Sequence, residues 1–329
     1  MKYFVRTPRF FLLAALVCAA PAQAQDRLVV LNAADGEAVL VDPVSHQVLA
    51  RMPTGLQPRE VAMSPDGRLA YIANYGGDGP QQRGTITVLD LAGRRVAATF
   101  RPEGYASLHD IHVGSRGRRM WLTAEADSGI VEMDTQTGTV LMFWKTGGAK
   151  SHTLVTSPDS RQLYVANAHS DSVTIIDRLT TVPTRVPTGS QPEGLDVSPN
   201  GKELWVANRG DNTLTIISPR KLKVLETIES GGVQPHRVTF RPDGTEVWVS
   251  NWGTQTVSIF GAKDRAMIGQ VELEAGPKAI LFSPDGLRAF VSAPDRDVVF
   301  VIDVDTREVL AEFRPGDAPH GMAWSAPDR

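Results

Sequence analysis

His109, His152, His236 and His320 are four of the seven histidines in this 329-residue chain. Each opens a short apolar run, and they recur at a spacing of ~42 residues or a multiple of it. Arg59, Glu193 and Lys278 stand at the remaining points of the same spacing, so every opener is ionisable. Imidazoles and carboxylates on neighbouring segments can pass a proton near neutral pH, and the same groups are donors for a metal ion. Guanidinium and ammonium groups among them would meet a carboxylate or phosphate. The positions just after the openers add Glu60, Asp110 and Arg237, and of these Arg237 is expected to join the openers at the mouth in meeting an anionic ligand. His236 with Glu193, from consecutive repeats, is the pair expected to carry acid–base chemistry. His109, His152, His236 and His320 are the candidate ligands for a divalent metal.

The elements that must position these residues repeat with them. Each copy runs from a short apolar strand through a turn such as Ser64-Pro65-Asp66-Gly67 or Ser283-Pro284-Asp285-Gly286. An aromatic-V-A-N strand follows, then a V-x-V-I-D strand, then a V-L-x-T strand, each read from period-2 apolar runs bounded by turns. Four short strands per repeat of this length predict an all-β, seven-bladed β-propeller with four antiparallel strands per blade. The chain opens in mid-repeat, with Leu28 to Asn32 reading as a second strand, and closes on a lone first strand at His320 to Ser325. The N-terminal strands are therefore expected to pair with the C-terminal innermost strand and shut the ring, which removes the exposed edges of an open one. The openers would then ring one mouth of the central channel.

Tyr71-Ile72-Ala73-Asn74, Tyr164-Val165-Ala166-Asn167, Trp205-Val206-Ala207-Asn208 and Trp248-Val249-Ser250-Asn251 match the motif of YVTN-repeat propellers. With the V-x-V-I-D strands they make the chain resemble that family, and more distantly the lactonase-like propellers. The resemblance spans essentially all of residues 25–329. It implies a periplasmic or surface-layer protein, and relatives that include sugar lactonases, a streptogramin lyase and d1-haem propellers. In the haem relatives' manner, His152 or His320 would ligate iron. Such a fold hosts many functions, so activity must be argued from the site.

In this fold the turn between second and third strands lies at the same mouth as the openers. Tyr75, Glu125, His169, Arg209 and Trp252 are expected there, as rim decoration or as the wall of a pocket. The Asn residues before them are expected to cap tight turns. Residues 75–84 lengthen one such turn, reading as a flap over the channel or as a tolerated insertion. The ring itself supports four readings: a water-filled channel, a site for a small anionic ligand or protein partner, a metal or acid–base centre of the lactonase or lyase kind, and a contact for another protein or a single strand. A non-enzymatic binding protein is the first expectation, because no G-x-S-x-G, H-E-x-x-H or nucleotide motif is present.

The remaining features set bounds. Lys2, Arg6 and Arg9, the apolar run from Phe10 to Ala20 and Ala22-Gln23-Ala24 read as a signal peptide over residues 1–24. The run is too short for a permanent span. The single cysteine, Cys18, falls inside it, so the exported chain would have no disulfide, which fits a bacterial periplasm or secretion. Net charge is −3, more acidic once the basic start is removed, which argues against nucleic acid and anionic lipid. A monomer is expected.

Overall fold

The computed structural model describes residues 26–77 and 83–326. The expected signal segment, and residues 78–82 of the long loop, lie outside them. The described residues form seven four-stranded antiparallel sheets and no helix. The first strands of the sheets contact one another in a closed circuit, so they line the channel and the sheets radiate as blades. Blade 1 combines Arg27–Asn32, Glu37–Val41 and Val48–Pro53 with the C-terminal strand Pro319–Ser325, which takes the innermost place. Val29 pairs with Ala323 and Val30 with Met322 across this closure.

Blades 2 to 6 follow in chain order. Their innermost strands are Pro58–Met63, Leu108–Val113, Ser151–Thr156, Pro192–Val197 and Pro235–Phe240. Blade 7 has a shorter one, Ile280–Phe282, so Lys278 lies just before the strand rather than in it.

The core lies between blades, because each sheet is apolar on both faces of its middle strands. Trp205 of blade 5 packs edge-on against Phe240 of blade 6, at 6.1 Å between ring centres, and Trp248 meets Phe282 of blade 7 at 5.3 Å. Both tryptophans are fully buried, each at the aromatic position of its repeat. The V-x-V-I-D aspartates do as turn chemistry requires: Asp303 accepts from the backbone N–H of Asp305 and Thr306, and Asp42 from Val44 and Ser45.

The repeated asparagines differ from expectation. They are buried and reach sideways instead of capping their own turns: Asn208 donates to Thr213 and Thr215, and Asn251 to Thr256 and Ser258. Each side chain fills the space beside a glycine of the incoming connection, Gly189 for Asn208 and Gly232 for Asn251. The asparagines thus brace the connections that deliver the channel-lining strands.

Candidate functional site

A local irregularity aims the openers into the channel. In six blades the innermost strand slips register against its neighbour just where the ionisable residue stands: between Pro58 and Glu60, Leu108 and Ile111, Ser151 and Leu154, Pro192 and Leu195, Pro235 and Arg237, and around His320. Two residues there oppose one, which is a β-bulge, and the extra residue turns its side chain out of the sheet's alternation. The residue entering each of these strands is left-handed and not glycine: Gln57, Ser107, Lys150, Gln191, Gln234 and Ala318, with φ from 51° to 56°. Its carbonyl accepts from the rim, as Gln57 does from the N–H of Tyr75, Ser107 from Glu125, Gln191 from Arg209 and Gln234 from Trp252. Ring and rim are therefore locked together by the same backbone bond in each of these six blades.

Eleven of the expected residues gather around one cavity of about 320 Å³: Arg59, His109, His152, Glu193, His236, Lys278 and His320 from the ring, with Tyr75, Glu125, Arg209 and Trp252 from the rim. Two do not. His169 is exposed. The rim phase in blade 4 belongs to Ala168, whose N–H goes to Lys150, so His169 stands one residue too far along. Arg237 lies a layer deeper, where strand alternation puts it with Glu60, Asp110 and Asp196 rather than at the mouth. One lining residue escaped sequence reasoning: Lys150. It occupies the left-handed entry position, and the available signal was that it alone is cationic among the six residues there.

Within the cavity the groups pair specifically. His236 Nε2 lies 3.4 Å from Glu193 Oε2, while Glu193 Oε1 accepts from Arg209 at 3.0 Å. The His109 and His152 rings lie 3.9 Å apart between centres, tilted by 38°. His152 Nε2 lies 3.7 Å from Glu125 Oε1, and Tyr75 donates its hydroxyl to Glu125 Oε2 at 2.9 Å. His320 Nδ1 donates to the carbonyl of Arg59 at 3.0 Å, which fixes its proton on that nitrogen. Arg59 stands over the Tyr75 ring and Lys278 over Trp252, each at 5.3 Å. His109 Nδ1, His236 Nδ1, Glu125 Oε1 and Glu193 Oε2 are buried and accept or donate no hydrogen bond within the protein, the last two having only the longer approach of an imidazole.

Burial sets the charge states. It pushes His152 down to about 3, helped by Lys150, and holds His109, His236 and His320 well below the usual imidazole range, with neighbouring cations and imidazoles adding to it. All four rings are neutral at pH 7. Burial raises the Glu125 carboxyl against the Tyr75 hydrogen bond, and lowers Lys278, which also feels Arg59. In the deeper layer it pushes Glu60 up to about 7 and Asp196 to about 6.

Of the four histidines expected to hold a metal, His109 and His152 converge with a third donor, Glu125, their ligand atoms lying within 4.8 Å of one another. His236 and His320 fall outside that group. The lining does not fit a haem: apart from Tyr75 and Trp252 it is charged or imidazole, whereas a macrocycle needs apolar walls.

A family model described as Lactonase, 7-bladed beta-propeller matches residues 174–267. No curated protein matches the chain. Among solved structures, a putative 6-phosphogluconolactonase from Bacteroides fragilis is 14% identical with a TM-score of 0.76, covering 93% of this chain and 99% of that one. The periplasmic gluconolactonase PpgL of Pseudomonas aeruginosa is 17% identical with a TM-score of 0.75, covering 92% and 99%. The dihydro-heme d1 dehydrogenase NirN is 16% identical with a TM-score of 0.68, covering 94% and 78%. What the chain shares with all three is a fold, and it is a seven-bladed β-propeller that resembles the lactonase-like propellers.

Proposed function

We propose that the protein is a hydrolase acting on a small lactone that carries an anionic group, with His236 and Glu193 as its acid–base pair. The observation that supports this most directly is the pairing itself: a neutral imidazole held by a carboxylate, inside a cavity whose other walls supply Arg59, Lys150, Arg209 and Lys278. The match of residues 174–267 to a lactonase model points the same way. This puts an enzyme ahead of the non-enzymatic binding protein that the missing motifs favoured.

The chemistry follows from the groups. Glu193 orients the His236 ring through Nε2 and leaves Nδ1 free to take a proton from water. The water oxygen bonds to the lactone carbonyl carbon. The negative charge that develops on the carbonyl oxygen is met by a cation of the wall, where low dielectric strengthens the attraction. When the ring C–O bond breaks, the imidazolium returns its proton to the departing oxygen, and the product is a hydroxy acid that ionises to its carboxylate. The remaining cations hold the substrate's anionic group.

The test is base-titrated hydrolysis of glucono-δ-lactone and 6-phosphogluconolactone. His236→Ala should lower kcat/KM by about 10²–10⁴-fold, the usual worth of a general base. Glu193→Gln should lower kcat with little change in KM. Anion binding to the wild-type protein without turnover of either lactone would overturn the enzyme reading and restore the binding protein. We also place the protein, as a monomer, in the periplasm. The support is the basic start, the apolar run and Ala22-Gln23-Ala24, and fractionation of the native host tests it.

A further inference from the structure

We propose that His109, Glu125 and His152 bind a divalent transition-metal ion, zinc by the nature of the donors, in the same cavity. The three ligand atoms lie within 4.8 Å of one another, a spacing that small side-chain rotations would close around an ion bonded at ~2.0–2.2 Å to each. The scaffold delivers them from independent places: His109 and His152 from the bulges of adjacent blades, Glu125 from the rim turn pinned to Ser107.

The groups around them hold the ligands rather than compete with them. Tyr75 occupies Glu125 Oε2 and leaves Oε1 bare, while the Thr153 hydroxyl lies 3.1 Å from His152 Nδ1 and leaves Nε2 facing Glu125. His109 Nδ1 and Glu125 Oε1 are buried and make no hydrogen bond within the protein. Two bare polar atoms in one corner are costly unless something binds them. The hydrogen bonds to the far side of Glu125 and of His152 are of the kind that holds metal ligands in place.

Two imidazoles and a carboxylate, with no thiolate among the described residues, suit zinc or cobalt and leave a fourth position open. Arg59 and Lys150 act electrostatically on Glu125, and their charge will weaken the ion's hold. The proposal stands apart from the lactonase reading, since neither His236 nor Glu193 is a ligand.

The test titrates the untagged, chelator-treated protein with Co²⁺ alone, followed by its visible absorption and by calorimetry. One equivalent should bind with the spectrum of a four-coordinate site, and Zn²⁺ should displace it. His109→Ala, His152→Ala and Glu125→Gln should each weaken binding by at least about tenfold, and Tyr75→Phe by up to about tenfold. His169→Ala, at an exposed histidine, should bind as the parent does. Near-UV circular dichroism checks that each variant is folded, and the conservative Glu125→Gln and Tyr75→Phe carry the test should an alanine variant fail. No cobalt bound by the parent, or equal binding by the His109→Ala/His152→Ala double variant, overturns the site. Either outcome leaves the lactone assay to be judged separately.

Discussion

Arg237 was placed by sequence at the mouth, yet the deeper position gives it a definite task. It donates to Glu60 and feels Asp110 and Asp196 at once, so one guanidinium serves three buried carboxyls. Burial raises the Glu60 carboxyl toward 7 while Arg237 pulls it down. Removing the arginine would leave buried acids without their counter-charge, and losing one partner of a buried pair typically costs about 3–5 kcal/mol. Arg237→Met should therefore lower the free energy of unfolding by that order in a denaturant titration. Adding Glu60→Gln should recover part of the loss, because the orphaned charge goes with it. A loss below ~1 kcal/mol would mean that water already solvates the pair as it does a surface ion pair.

The innermost strand shows how far pattern reading reaches. The four-strand repeat made the seven blades and their closure legible, because turn chemistry and period-2 alternation are local. The ring of openers was legible too, since equal phase in a propeller means equal height in the channel. The errors differ in kind: Arg237 and His169 are one-residue offsets that the repeat phase itself carries, Arg237 following its opener and His169 lying two past Asn167, whereas Lys150 sits at the left-handed entry to its bulge. Ladder slippage leaves no mark in an alternation pattern. Gly194 marks one such offset. It stands in the bulge beside Glu193, and a Cβ there would collide with the carbonyl of His236 and lie 2.8 Å from the Arg237 Cα. Its bare backbone is what lets Glu193 and His236 meet. Gly194→Ala should push these two strands apart, cost about 1–3 kcal/mol as overpacking does, and cut lactone hydrolysis more than it cuts anion binding.

Across the whole molecule, the channel holds a set of groups whose proton affinities are displaced from those of the unfolded chain. His109, His112, His152, His236 and His320 are all held below 6.5, mainly by burial. Above pH 6.5 these rings are neutral in both states and cost nothing. As pH falls below 6.5 the unfolded chain takes up protons that the folded one refuses, and each such proton removes ~1.4 kcal/mol of stability per pH unit. The raised carboxyls work the other way. Glu60, near 7, and Asp196, near 6, with Asp110 and Glu125 also raised, take up protons in the folded state first and return stability on acidification. Five imidazoles, all titrating at one pH in the unfolded chain, outweigh four carboxyls whose folded values are spread over a range. Unfolding free energy should accordingly be nearly flat above pH 7 and decline from 6.5 downward. Asp196 is the best place to isolate the offset, because its carboxylate accepts from the N–H of Phe240 and Val197, and burial and these two bonds act on it more strongly than Arg237 does. Asp196→Asn removes that proton uptake, so the decline between pH 6 and 4 should steepen by up to ~1.4 kcal/mol per pH unit. Denaturant titrations of both proteins across pH 8 to 4 decide it, since parallel curves would mean that Asp196 is ionised in the folded channel throughout.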